Sequence, residues 1–175
     1  RIEGRVQHFV DRLHAGNIAA HPGARLAGIA DPVAEAAASL AAACNSQAIS
    51  LDDAFKADAV LIASPTPTHA DYIERAAAAG CAVFCEKPID LSAERVRACL
   101  AAVRRAGTRL MVGFNRRFDP HFARLQQRLA AGEIGRLELL TITSRDPQPP
   151  PPSYVAASGG LFRDMMIHDL DMARF

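Results

Sequence analysis

Apolar residues fall along this chain in two rhythms. Short unbroken runs, such as Ala59 to Ala63 and Cys81 to Val83, alternate with longer segments in which apolar positions recur every three or four residues. The first rhythm predicts strands of a parallel sheet buried on both faces, and the second predicts the helices that cover it. Read in order, Arg25–Ala30 is a strand ending at Asp31-Pro32, and Val33–Cys44 is an alanine-rich helix. Leu51–Phe55 is a helical turn, Asp58–Ala63 a strand, and Ser64–His69 a loop. Ala70–Ala79 is a helix closed by Gly80, and a strand then runs from Cys81 into Lys87. Ser92–Ala106 is a helix with a serine N-cap and a stop at Gly107, followed by a strand over Arg109–Phe114. This alternation predicts an α/β, Rossmann-type doubly wound parallel sheet with right-handed crossovers.

The two ends read differently. Phe9, Val10 and Leu13 begin a helical stripe that Asn17–Ala20 continues to a stop at Pro22-Gly23, and no apolar strand precedes it. Ile2-Glu3-Gly4-Arg5 reads like a linker or a damaged start and is set aside. Beyond Phe114, Asp119–Ala131 is amphipathic, Leu137–Thr143 alternates like a strand, and Asp146–Ser153 is a proline-rich loop. Gly159-Gly160 then opens a last segment. A boundary near 114–119 divides the chain into residues 1–114, a nucleotide-binding domain, and 115–175, the start of an α+β domain. One strand cannot form a sheet alone, so this second domain is expected to be truncated, and both ends read as incomplete.

Composition narrows the function. The chain has 175 residues and a net charge of +1, which gives no electrostatic footprint for nucleic acid or an acidic membrane surface. No apolar run is long enough to span a bilayer. Cys44, Cys81, Cys85 and Cys99 form no C-x-x-C. Cys81 and Cys85 share a strand face about 13 Å apart, too far for a disulfide. Reduced thiols in a cytoplasmic protein are therefore expected.

Four places could carry chemistry. Phe84-Cys85-Glu86-Lys87-Pro88 puts a charged pair at the carboxyl end of a buried strand, where open parallel sheets bind ligands. Lys87 is either aimed into a cleft or half of a solvated turn pair. Asp31, at another strand end, could accept from both ribose hydroxyls of an adenosine and so favour NAD over NADP; the alternative is a plain Asp-Pro turn. Ser64, Pro65, Thr66 and His69 lie on a stiff hydroxyl-lined loop that could rest against a dinucleotide, with His69 as a binding residue or the cap of the next helix. On a helix, Asp164 and His168 share a face, so the carboxylate could hold the imidazole as a general base. A cation site with Asp169 and Asp171, or a satisfied pair at a domain interface, remains open there.

Ala63–His69, Cys85–Asp90, Val112–Pro120 and Gly159–Asp171, in that order, resemble blocks of the Gfo/Idh/MocA oxidoreductase family. The resemblance covers about residues 14 to 175. The last block and Thr143–Pro147 look most like the members that oxidise inositol. It implies a Rossmann domain followed by an α+β substrate domain, NAD as cofactor and oxidation of a polyol ring hydroxyl to a ketone, myo-inositol to scyllo-inosose. It also implies a homo-oligomer, commonly a tetramer. By match to the motifs, Lys87, Asp164 and His168 are catalytic. Asp31, Ser64, Pro65, Thr66, His69, Glu86 and Lys87 face the cofactor. Lys87, Arg116, Asp164 and His168 face the substrate, and no metal is implied.

Two departures matter, and one is the expected stop after Arg174-Phe175, short of the substrate domain's sheet. The family's G-x-G-x-x-G turn, whose amides hold a pyrophosphate, is missing before His14. Weak or absent NAD binding by this chain is therefore expected. Two classes stand: a polyol dehydrogenase, and a non-catalytic truncated piece of one, with a dehydrogenase of another sugar or polyol as the variant of the first.

Overall fold

The computed structural model describes residues 3–146, 148–150, 155 and 158–175. They fall into two compact units, 1–112 and 113–175, described separately below.

In the first unit, α1 (Glu3–Ala20) ends before the Pro22-Gly23 stop, and α2 (Ala34–Ala43) buries Ala37 and Ala41. A single turn, α3 (Leu51–Ala54), starts at Ser50, whose hydroxyl accepts from the Asp53 amide. Then come β1 (Ala59–Ile62), a 3-10 turn (Thr66–Thr68), α4 (His69–Ala78), β2 (Ala82–Cys85), α5 (Ala93–Ala106) and β3 (Leu110–Val112). The strands pair in parallel in the order β1-β2-β3, with Ile62 beside Cys85 and Cys85 beside Val112. Parallel strands with intervening helices are the architecture the apolar rhythm predicts.

The helix ends explain themselves. Ser92 accepts from the Arg95 amide at the start of α5, and Gly107, at φ +67°, closes it in a left-handed turn that a side chain would disfavour. Helices α4 and α5 pack on each other, and α4 also packs on β1 and β2. The core between them holds Ile62, Ile73, Val83, Cys85, Cys99 and Val103, with small Ala70, Ala76 and Ala77 allowing close approach. Phe55 closes one end of this core, under the guanidinium of Arg75 at 4.6 Å.

Three expectations are corrected. Arg25–Ala30 makes no strand: a single parallel bridge joins Ile29 to Ala48, and side chains of Ser46 and Gln47 take up the carbonyls of Leu26 and Ala27. With side-chain donors in place of a neighbouring strand, no ladder propagates. The run in β1 is not buried on both faces either. Ala59 is exposed and Val60 and Leu61 half-buried, because β1 lies at the edge of the three-stranded sheet.

The third correction lies in the second unit. Residues 137–143 are exposed and form no strand, since no partner strand exists for them among the described residues. Leu139 is 81% exposed. β-Propensity needs a neighbouring strand to become a ladder. The same unit contains a 3-10 turn (Asn115–Phe118), α6 (Pro120–Ala130), α7 (Leu161–Asp164) and α8 (Met166–Arg174). Asp119 caps α6 by accepting from the amides of His121 and Phe122, and Pro120 takes the first helical position. Half of the expected proline-rich loop over 146–153, residues 147 and 151–153, lies outside the described residues.

Candidate functional site

In the first unit, the candidate residues of the Ser64 loop and the Glu86-Lys87 segment leave the sheet at the carboxyl ends of β1 and β2. Parallel pairing sets Ile62 beside Cys85, so the segments that follow, from Ser64 and from Glu86, leave the sheet at the same end. The Glu86 amide donates to the Ile62 carbonyl at 2.8 Å, which carries the pairing one residue past β2. Lys87 is half-buried and is joined to Pro88 by a cis peptide bond.

Glu86 is not a solvated half of a turn pair. Its Oε1 lies 2.7 Å from Nε2 of His14 on α1, and each side chain is 23% exposed. The His14 ring stands edge-on to Phe84, with centroids 5.3 Å apart. Burial pushes the Glu86 carboxyl upward. The hydrogen bond and charge of His14, the Lys87 amide and the Lys87 charge outweigh it, and hold the carboxyl below its ordinary value. Sequence reasoning missed His14. Its signal was a histidine on a helix whose start was unreadable.

Asp31 makes the Asp-Pro turn: its Oδ1 accepts from the Val33 amide at 2.7 Å, just before α2. A carboxylate accepts on both oxygens, so Oδ2 can still receive a ribose hydroxyl, and the residue fits both readings. The Ser64 loop is tied internally. Ser64 Oγ and Thr68 Oγ1 are 2.6 Å apart, and Thr68 Oγ1 donates to the Pro65 carbonyl at 2.8 Å. Thr66 opens the 3-10 turn behind Pro65. His69, grouped with this loop by sequence, is 2% exposed and belongs to the framework beneath it. Its Nδ1 lies 2.7 Å from the Pro88 carbonyl oxygen and its Nε2 lies 2.5 Å from that of Ser64.

In the second unit, Asp164 and His168 do not lie on one unbroken helix. Asp164 closes α7, Met165 stands between with helical dihedrals, φ −93° and ψ −57°, and His168 sits in the first turn of α8. The His168 amide donates to the Met165 carbonyl, and Nδ1 of its ring is withdrawn from solvent. Arg116 donates through Nη1 to Asp169 Oδ1 at 2.5 Å and to Ser144 Oγ at 3.2 Å. Ser144 Oγ donates to that same carboxylate oxygen. The Ser144 hydroxyl, then the Arg116 hydrogen bond and charge, hold the Asp169 carboxyl below its ordinary value against the opposing effect of burial. Arg117 grips Asp171 with two hydrogen bonds, 2.7 and 2.6 Å, and lies over the Phe175 ring. These two acids are thus engaged by arginines. Among the described residues no group of three His, Cys, Asp or Glu side chains is placed to hold a metal ion.

The arrangement resembles known proteins over nearly its whole length. Residues 8–114 match the family model described as an oxidoreductase family with an NAD-binding Rossmann fold, and 122–175 match the Gfo/Idh/MocA C-terminal domain. The chain is 53% identical over 169 residues to an inositol 2-dehydrogenase of Rhizobium meliloti, covering 95% of this chain and 51% of that protein. A myo-inositol dehydrogenase structure from Corynebacterium glutamicum superposes with a TM-score of 0.86 at 52% identity, covering 93% of this chain and 50% of that one. A scyllo-inositol dehydrogenase from Lactobacillus casei, with bound NAD(H) and scyllo-inositol, matches with a TM-score of 0.77 at 28% identity, covering 94% and 52%. The chain therefore spans about half the length of the relatives it matches. On the match of residues 8–114, this chain belongs to the Gfo/Idh/MocA family of oxidoreductases.

Proposed function

We propose that the protein oxidises a ring hydroxyl of a polyol to a ketone with NAD, with myo-inositol as substrate and scyllo-inosose as product. The observation that carries this reading is the placement of Lys87 just past β2, at the sheet end from which the Ser64 loop also leaves. The similarity to proteins named inositol 2-dehydrogenase supports the choice of polyol. In this reading residues 1–114 bind the cofactor and 115–175 begin the substrate domain.

NAD supplies the hydride acceptor. Asp31 accepts from the ribose hydroxyls, and Ser64, Pro65 and Thr66 line the loop beside the dinucleotide. Glu86, tied to His14, fixes the backbone that carries Lys87. Lys87 donates to the reacting oxygen and stabilises the negative charge that grows there as the hydroxyl proton leaves. His168 takes that proton, and Asp164 orients it. Arg116, steadied by Asp169 and Ser144, donates to a second substrate hydroxyl. The four free cysteines fit a reducing, cytoplasmic setting.

A second reading, a non-catalytic domain, is favoured by the exposed apolar segment around Leu137, Leu139 and Leu140. NADH formation from a panel of inositol isomers and sugars separates the two. Turnover on myo-inositol above the others supports the dehydrogenase, and NAD binding without turnover on any of them favours the second reading. Light scattering of the active species tests the tetramer that the family resemblance implies.

A further inference from the structure

We propose that His69 is a positioning residue that sets the spacing between the Ser64 loop and the Lys87-Pro88 segment. The inference rests on the reading of those two segments as cofactor and catalytic loops, and goes beyond it by taking His69 away from the ligand. A histidine in contact with a dinucleotide would need an open face, and this one is 2% exposed. It opens α4, whose next residue, Ala70, and whose Ile73 are core, so its ring is fixed from below.

Its two nitrogens reach in different directions. Nδ1 meets the carbonyl of Pro88, one residue past Lys87, and Nε2 meets the carbonyl of Ser64, the first residue of the other loop. Carbonyl oxygens only accept, so the ring must donate both bonds, which takes a proton on each nitrogen. The other ties of the Ser64 loop, through Thr68 to Ser64 and Pro65, hold its own shape. The imidazole reaches across to the second loop, and a rigid five-membered ring fixes the distance between its two nitrogens. Catalytic groups need placement of this kind, because small displacements cost rate steeply.

The chemistry supplies a test with two separable halves. In His69→Asn the side-chain amide overlays Nδ1 and keeps the Pro88 contact; in His69→Gln it overlays Nε2 and keeps the Ser64 contact. Two readouts report the halves. Hydrogen exchange at the Thr68 amide, bonded to the Pro65 carbonyl at 2.9 Å, reports the Ser64 loop. The rate of reductive methylation of Lys87, followed by peptide mass spectrometry, reports the other.

His69→Asn is expected to speed Thr68 exchange by up to about tenfold, the loss of one hydrogen bond, with Lys87 methylation within about twofold of the parent chain. His69→Gln is expected to do the reverse. Equal changes at both sites in both variants, or no change at either, would overturn the proposal, as would a fall in global stability that accounts for both. Neither readout needs NAD or substrate. Absence of turnover would therefore sink the dehydrogenase reading while leaving this test intact.

Discussion

His14 and Glu86 stand 72 residues apart in the chain and meet at 2.7 Å, Nε2 to Oε1, so that the first helix is fastened to the strand end that carries Lys87. The fastening is pH-dependent in a definite direction. The folded Glu86 carboxyl titrates below its unfolded value near 4.5. A depressed carboxyl stabilises the fold fully above the unfolded value, and that contribution is lost as the pH falls through the lower folded value. His14→Phe, which keeps the ring edge on Phe84, is expected to cost about 1–2 kcal/mol near neutral pH. Urea unfolding of both proteins at a series of pH values should show that difference closing in acid below 4.5. A difference that persists unchanged at pH about 3, below the ordinary carboxylate range, would refute the link.

Asp169 holds the Arg116 guanidinium through a short hydrogen bond, with Ser144 on the same oxygen. The Asp169 side chain is 17% exposed. Asp169→Asn removes the charge and keeps the shape, which leaves the guanidinium less firmly aimed. If Arg116 holds a substrate hydroxyl, KM for the polyol rises by about tenfold, the weight of one charge-assisted hydrogen bond, while kcat changes less. Steady-state kinetics decide it, and an unchanged KM would remove Arg116 from the substrate contacts.

Gly28 has no room for a side chain. A Cβ there would lie 2.7 Å from two carbons of Ile49, beside the bridge that joins Ile29 to Ala48. Gly28→Ala is expected to lower stability by about 1–3 kcal/mol through overpacking. Shortening the obstacle with Ile49→Ala in the same chain should recover part of that loss. Thermal unfolding of the single and double variants measures it, and strict additivity of two losses would show that the clash is relieved some other way.

The buried thiols should be inert. Burial pushes the Cys85 thiol up to about 12 and the Cys99 thiol up to about 11, with nearby acids adding to both and Arg95 partly opposing at Cys99. Thiolate is the reactive form, so at pH about 8 iodoacetamide should label half-buried Cys44 first and reach Cys85 and Cys99 only after unfolding. The linkage runs opposite to that of Glu86. Stability from the neutral thiols is complete below the unfolded value near 9 and is lost as the pH rises towards the folded values. Rapid native labelling of Cys85 would contradict this burial.

Much of this fold was legible because its signals are local. The serine at 92 and the glycine at 107 bracket α5 as their chemistry requires, and unbroken apolar runs marked β1 and β2. What failed depended on neighbours. Residues 137–143 carry strand propensity without a described partner, and Arg25–Ala30 found side-chain donors where a ladder would need a strand. The site divides the same way. The Glu-Lys-Pro tip was visible because a charged pair at a buried strand end is unusual, whereas the roles of His14 and His69 came from long-range contacts that no spacing rule encodes. The break at Met165 was invisible too, since the residues on either side of it are ordinary helix formers.

The central claim is that Lys87 and His168 act on the hydroxyl that NAD oxidises, Lys87 donating to its oxygen and His168 taking its proton. The most direct measurement is NADH absorbance with myo-inositol and NAD, comparing the parent chain, embedded in the full length of its relatives, with Lys87→Met and His168→Ala. The account predicts turnover by the parent and a loss of about a hundredfold or more in kcat for each variant, with NAD affinity changed little by His168→Ala. A parent that binds NAD yet forms no NADH from any inositol isomer, or variants that turn over like the parent, would contradict it.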